Sequence, residues 1–335
     1  MVIRYIRPVK PSSATGLVAG VYAQIEKDFG RVVEPFQIHS PLPKLLAGAW
    51  MVCRETEIVG IVPRALKEVV AASVSQLNKC SYCLDAHTIM LTAAGEGKLA
   101  NSISQGHYEN IVDEKTFKIV QWALATTSPR SELLRWQPFS RDEAPEVIGT
   151  AVFYHYMNRM ANALLGETPL PFKQGWLKSP LKTIASQTFA NAMNRSKTIG
   201  DSLEFLPKAN LPNDLRWTKT NSNIAKAYSC FANAIEEAGE QSLPSEVRAH
   251  VEEELNQWSG KTSELSLAWA EDAISRFDES TEAAARLAIL AALTPERIEV
   301  SAIAAFRKHF PEDAKLLGAL AWASFAAARK IGTWL

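Results

Sequence analysis

The chain is poor in cysteine, in any excess of charge and in long apolar runs, and each shortage excludes something. Four cysteines in 335 residues are too few for a disulfide scaffold, the device of small secreted folds. Lys+Arg and Asp+Glu both number 36 and cancel, so no basic face is offered to nucleic acid or to an anionic membrane. The longest weakly polar run, 316–328, stops at Arg329; it is too short to cross a bilayer and predicts a buried helix. The amino-terminal MVIRYIRPVKPSS has charges but no apolar segment behind them, so no signal peptide and a cytoplasmic location are expected. With no glycine-rich loop in the sequence, no nucleotide or flavin site and no cofactor are expected. Period-two alternation with hairpin turns is missing as well.

Helical spacing is what remains. Leu17, Val21, Ile25 and Phe29 recur at helical intervals and stop at Gly30. A proline-punctuated stretch then leads into a helix carrying Trp50 and Cys53. Pro63 opens another helix, with Leu66, Val69, Val70 and Val74 on its inner side. A following helix should run to Gly95, and residues 113–127 and 144–165 supply two more. The expected fold class is all-α. Proline-rich patches at 168–182 and 205–217 read as a long connection.

The second half reads as a faded copy of the first. Pro63 and Pro244 open similar segments 181 residues apart; Pro129 and Pro295 are 166 apart, and Gly149 and Gly318 are 169 apart. The expected units are 1–167, a connecting segment 168–218, and a repeat at 219–335. An offset of 181 sets Ala249 opposite Glu68, Lys261 opposite Cys80, Glu264 opposite Cys83 and Ala268 opposite His87, so the copy should keep a fold without the chemistry.

That chemistry is concentrated in residues 68–95. Cys80, Cys83 and His87 stand at i, i+3 and i+7, one face of a helix. Glu68 precedes Cys80 by twelve residues, roughly 18 Å along a straight helix, so it can join them only if the chain bends. Asn78-Lys79 is a plausible bend, and Cys80 would then enter the first turn of a new helix, whose dipole favours a thiolate. A redox reading has its parts here: two thiols at disulfide spacing, with His87 and Glu68 as proton acceptors. A zinc reading would use Cys80, Cys83, His87 and Glu68 as ligands, although no second CxxC or HxxxH accompanies them. A third reading is a buried inert pair beside a hydrogen-bonded core histidine. A thioredoxin-type CxxC would need a βαβ context, which the pattern lacks.

Glu68, the twelve-residue gap, Cys80-Ser81-Tyr82-Cys83 and His87, flanked by Ser75, Asn78, Ala86 and Gly95, resemble the signature of the AhpD-like alkylhydroperoxidases of the carboxymuconolactone decarboxylase superfamily. Tyr82 is a common occupant between the cysteines, where some members have His, and Asn158-Arg159 resembles the family's late "NR" helix. The resemblance implies an AhpD-like helical fold, here in two units of which the second is degenerate. It implies that Cys83 attacks a peroxide, that Cys80 resolves the sulfenic acid as a disulfide, and that Glu68 and His87 relay protons. It further implies hydrogen peroxide or organic hydroperoxides as substrate, a lipoyl- or thioredoxin-type dithiol as reductant, and a homo-oligomer. Decarboxylation of a ring lactone is the superfamily's other activity, but its decarboxylase members generally lack the cysteine pair. Cys53 and Cys230 are expected to be buried inert thiols, His39 to cap or pack, His155 to be a satisfied core histidine, and Arg159 to meet a core carboxylate. His107 and His309 are expected at the surface.

Overall fold

The computed structural model describes residues 2–169, 186–187, 189–190, 192–193, 195–260 and 274–335. Among the described residues the fold is all-α, with α1 (Gly16–Phe29), α2 (Pro43–Cys53), α3 (Arg64–Leu77), α4 (Ser81–Ala93), α5 (Gly97–Gln105), α6 (Glu114–Ala125), α7 (Ala144–Leu164), α8 (Ser222–Ser242), α9 (Ser245–Gln257), α10 (Glu279–Leu293), α11 (Val300–His309) and α12 (Asp313–Gly332). The single β-bridge among them joins Ile3 to Leu165. Lys261, Glu264, Ala268 and most of the proline-rich 168–182 lie outside the described residues.

Local chemistry sets the helix ends. Gly30 closes α1 in the left-handed region at φ 85, which costs glycine no Cβ clash. Pro63 stands immediately before α3, where its missing N–H forfeits no helical bond. The end of α3 is a Schellman turn: Lys79 takes φ 51, its N–H reaches Gln76 O at 3.1 Å, and Cys80 N–H reaches Ser75 O at 2.9 Å. Two otherwise orphaned carbonyls are thereby satisfied, and the chain reverses into α4. The bend falls at Asn78-Lys79, as the sequence predicts. Cys80, however, is the N-cap of α4 rather than a residue of its first turn.

The helices share one continuous hydrophobic core that draws residues from both halves of the chain. α7 packs against α3 on one side and α12 on another, and α8 packs against α2 and α12. Gly48 lets α2 approach α8 closely, since a Cβ there would lie 2.9 Å from the Phe231 Cα. A buried ion pair fixes the entry to α3. Lys67 Nζ donates to Glu146 Oε2 of α7 at 2.8 Å and to Val59 O at 2.6 Å, while Glu146 accepts the Ile61 and Val62 N–H groups at 2.8 and 3.1 Å. Gly60, at φ 121, makes room, because any Cβ would land on the Glu146 carboxylate. Every polar atom of the pair has a partner, the condition under which a buried pair is tolerated.

Arg159 departs from expectation. It donates to two backbone carbonyls, Ala292 O at 2.9 Å and His155 O at 2.7 Å, rather than to a carboxylate. Ala292 lies in the last turn of α10, where carbonyls lack helical partners and the dipole favours a cation.

Candidate active site

The Schellman turn folds α4 back along α3 and sets Glu68 beside His87. His87 Nδ1 lies 2.7 Å from Glu68 Oε2, and both side chains are buried. The other Glu68 oxygen accepts Arg64 Nε at 2.7 Å, one helical turn earlier. Burial raises the Glu68 carboxyl, but the Arg64 guanidinium and the His87 hydrogen bond outweigh it and hold it down at about 2. An ionised Glu68 only accepts, so Nδ1 of His87 carries the proton. That leaves Nε2 as the basic nitrogen of a side chain that lines a cavity.

A second carboxylate comes from the polar segment that follows Cys53. α2 runs directly into a π turn, Arg54–Ile58, closed by Val59 N–H to Arg54 O at 3.0 Å. This wider turn carries four successive polar residues, Arg54 to Glu57, into the interior, a local irregularity that recurs at functional sites. Glu57 Oε2 accepts the Tyr154 hydroxyl at 2.6 Å and the Cys53 thiol at 3.3 Å, and Arg64 spans from Glu68 to Glu57 Oε1 at 3.5 Å. Burial, then the charge of Glu68, raises the Glu57 carboxyl. Two buried carboxylates on one guanidinium are thus pushed apart, one toward the acid form and one toward the base form, an arrangement shared by acid–base sites.

The thiols sit at the opening of α4. Cys83 is in its first turn, and Cys80 caps it. Both are free, buried thiols. The Cys80 hydrogen bond and then burial push the Cys83 thiol well above the ordinary cysteine range, while Asn158 pulls in the other direction. At rest the sulfur is therefore a thiol, not the ready thiolate that a helix N-terminus alone would favour. Activation requires a base.

A cavity of about 140 Å³ brings the reactive groups to one space. Cys83 and His87 line it with Cys53, Tyr82 and Tyr154, and Phe29, Phe36, Phe153 and Met157 contribute apolar wall. Cys80 does not line it. Tyr82 points its hydroxyl to Glu34 Oε2 at 2.9 Å, and Tyr154 stands edge-on to the His87 ring with centroids 4.3 Å apart.

All four expected site residues therefore gather at the α3–α4 hairpin, with one difference in the company they keep. Among the described residues the group with metal-ligand spacing is Glu57, Glu68 and His87, whose ligand atoms lie within 4.8 Å of one another. Neither cysteine belongs to it, so the zinc set of Cys80, Cys83, His87 and Glu68 is not assembled. Arg64 already places a positive charge between the two carboxylates. Cys53 is buried as expected, yet it faces the cavity and Glu57. His39 packs as expected, between Pro35 O and the Tyr156 hydroxyl, both at 2.7 Å. His155 is satisfied by Asn78 and Thr126. Of the residues missed, Arg64 had a signal, four positions before Glu68 on one helix face. Glu57 and Tyr154 had none, because only the fold brings the π turn and α7 to this place.

The family model "Carboxymuconolactone decarboxylase family" matches residues 44–99, the stretch that holds α2, the π turn, α3 and α4. An alkyl hydroperoxide reductase of Mycobacterium tuberculosis (strain ATCC 25618 / H37Rv) is 36% identical over 333 residues, 99% of this chain and 95% of that protein. The crystal structure of an alkylhydroperoxidase AhpD core, a peroxidase-related protein from Ralstonia eutropha JMP134, covers 49% of this chain and 90% of its own at 18% identity, with a TM-score of 0.44. A relative of that identity matched over nearly its whole length, together with the family match across the cysteine hairpin, means that the chain belongs to the carboxymuconolactone decarboxylase family.

Proposed function

We propose that the protein is a thiol-dependent peroxidase that reduces hydrogen peroxide or organic hydroperoxides. The observation that carries this reading is the shared cavity of Cys83 and His87, with His87 pinned through Nδ1 by an ionised Glu68. The M. tuberculosis relative's name, alkyl hydroperoxide reductase, supports the same class, and the apolar wall suits an organic hydroperoxide.

In this reading His87 Nε2 takes the Cys83 proton, and the thiolate attacks one peroxide oxygen. The O–O bond breaks, the departing alkoxide recovers the proton from the imidazolium as an alcohol, and Cys83 is left as a sulfenic acid. Cys80 then attacks that sulfur; a disulfide forms and water leaves. A lipoyl- or thioredoxin-type dithiol returns two electrons and two protons by exchange. Glu68 and Arg64 do not touch the peroxide; they fix the tautomer of His87 and compensate the charge it gains. No cofactor enters these steps.

The chain is further read as a tandem of units, 1–167 and 219–335 joined by 168–218, the second without the catalytic set. In support, α3 and α9 each follow a proline. Residues 156 and 325, paired by the 169 offset, also meet edge-on with ring centroids 5.9 Å apart. A homo-oligomer in the cytoplasm is the expected setting.

The test is turnover of tert-butyl hydroperoxide with dihydrolipoamide as reductant. Cys83→Ser should abolish it, and Glu68→Gln should lower kcat/KM about 10²-fold, the low end of what a positioned base supplies. Turnover that survives in Cys83→Ser would remove the thiol mechanism. Unchanged behaviour of the Cys80→Ser/Cys83→Ser double variant in every assay would favour a scaffold.

A further inference from the structure

The cavity that holds Cys83 and His87 has a buried end and an exposed end. Cys83 is 2% exposed and His87 8%, whereas the Arg31 side chain, which lines the same cavity, is 54% exposed. Most of the remaining wall is apolar, with Phe29, Phe36, Phe153 and Met157 prominent. The volume of about 140 Å³ is close to the roughly 150 Å³ of an engineered apolar cavity that accepts benzene. A compact hydrocarbon group therefore fills the space. Arg31 is the only guanidinium or ammonium among the described lining residues; the other ionisable groups there are Glu34, His87, the thiols of Cys53 and Cys83, and the hydroxyls of Tyr82 and Tyr154. Glu34 Oε1 accepts Arg31 Nη2 at 3.1 Å, and Glu34 Oε2 accepts the buried Tyr82 hydroxyl at 2.9 Å. Tyr82 stands between the cysteines in the first turn of α4, so Glu34 tethers the guanidinium to the turn that carries Cys83. One N–H of Arg31 is taken in this way, and no other acceptor meets the guanidinium among the described residues.

We propose that Arg31 is a specificity-determining residue: it selects compact organic hydroperoxides that carry a carboxylate remote from the O–O group, and binds that carboxylate at the cavity mouth while the hydroperoxide lies against Cys83. The inference rests on the thiol-peroxidase reading and narrows its substrate class. An apolar wall with a cation fixed at its exposed end matches a molecule that is apolar toward its reacting end and anionic at the other. The planar guanidinium fork suits a carboxylate, which it can grip through two parallel hydrogen bonds. Glu34 acts in two directions. Its charge opposes the incoming anion and limits the gain, while its hydrogen bond holds the guanidinium in place beforehand and lowers the cost of ordering a long side chain.

Binding is tested apart from turnover. Two alcohol products, para-carboxycumyl alcohol and its uncharged para-carbamoyl analogue, are titrated calorimetrically into the full-length reduced protein at neutral pH and low salt. The carboxylate should bind about five- to tenfold more tightly than the carbamoyl analogue, the worth of a charge-assisted hydrogen bond at a partly exposed site. The preference should shrink as salt is raised. Arg31→Gln should abolish it, and Arg31→Lys, which keeps the charge without the planar fork, should restore part of it. The side chain is half-exposed, so neither substitution opens the core. With the matching hydroperoxides and dihydrolipoamide, the same preference should appear in kcat/KM. Equal affinities in the parent, no binding of either alcohol, or a preference that Arg31→Gln leaves intact overturns the proposal. Failure of the peroxidase reading would look different: the carboxylate would be preferred, and through Arg31, while the parent consumes neither hydroperoxide.

Discussion

α7 and α12 are the two central helices, nearly equal in length and packed against each other, and their interiors differ completely. α7 buries Glu146, Thr150, Tyr154, His155, Asn158 and Arg159, each with a hydrogen-bonding partner. α12 buries alanines, leucines and a single polar residue, Ser324, whose hydroxyl has no partner. The 169 offset sets Ala323 opposite Tyr154, Ser324 opposite His155 and Ala327 opposite Asn158. The apolar α12 packs into the same core with one buried polar side chain. Buried polar groups cost stability unless paired. They are concentrated on the helix that contributes Phe153, Tyr154 and Met157 to the cavity wall.

The comparison breaks if polar residues at matched places on the two sides behave alike. The sharpest contrast is Lys67 against Arg248, paired by the 181 offset. Lys67→Met leaves Glu146 charged and buried without its partner, and should cost about 3–5 kcal/mol in urea unfolding. Arg248 meets Glu236 in an ion pair whose acid is 44% exposed, so Arg248→Gln should cost about 0–1 kcal/mol. Equal losses would erase the distinction between the halves.

A medium effect is expected at Glu68, whose counterpart Ala249 carries no charge. Folding lowers the Glu68 carboxyl to about 2, so its contribution is complete above the ordinary carboxylate value of 4.5 and is lost as pH falls toward about 2. Glu57, raised by burial, acts in the opposite sense and favours the fold more as pH falls. The difference between the parent and Glu68→Gln isolates the first contribution. Urea midpoints measured from pH 5 down to 2 should converge as Glu68 protonates, and parallel curves would show that its ionisation adds nothing to the fold. The smallest effect belongs to Ser324→Ala, which removes an unpartnered buried hydroxyl and should be neutral or stabilising by up to about 1 kcal/mol. A clear loss of thermal stability there would mean that α12 has a polar role after all.

Much of this arrangement was legible before folding. The all-α class, the stop at Gly30, the proline before α3 and the bend after Leu77 follow from side-chain periodicity and backbone preference, which act over a few residues. The spacing of Glu68, Cys80, Cys83 and His87 marked a candidate site for the same reason, since one hairpin carries all four. One expectation failed through a long-range effect: Arg159 meets carbonyls, because the end of α10 lies where a carboxylate had been expected.

The sequence by itself determined the helices, their ends and the four residues of the hairpin, since each depends on neighbours within a turn or two along the chain. Only the tertiary structure decided that Glu57 turns inward beside Arg64, that Tyr154 reaches Glu57 and His87 from α7, and that Cys53 faces the cavity of Cys83. Charge and hydrogen bonding act through space at about 3 Å, and residues some eighty positions apart come within that range only once the core has closed.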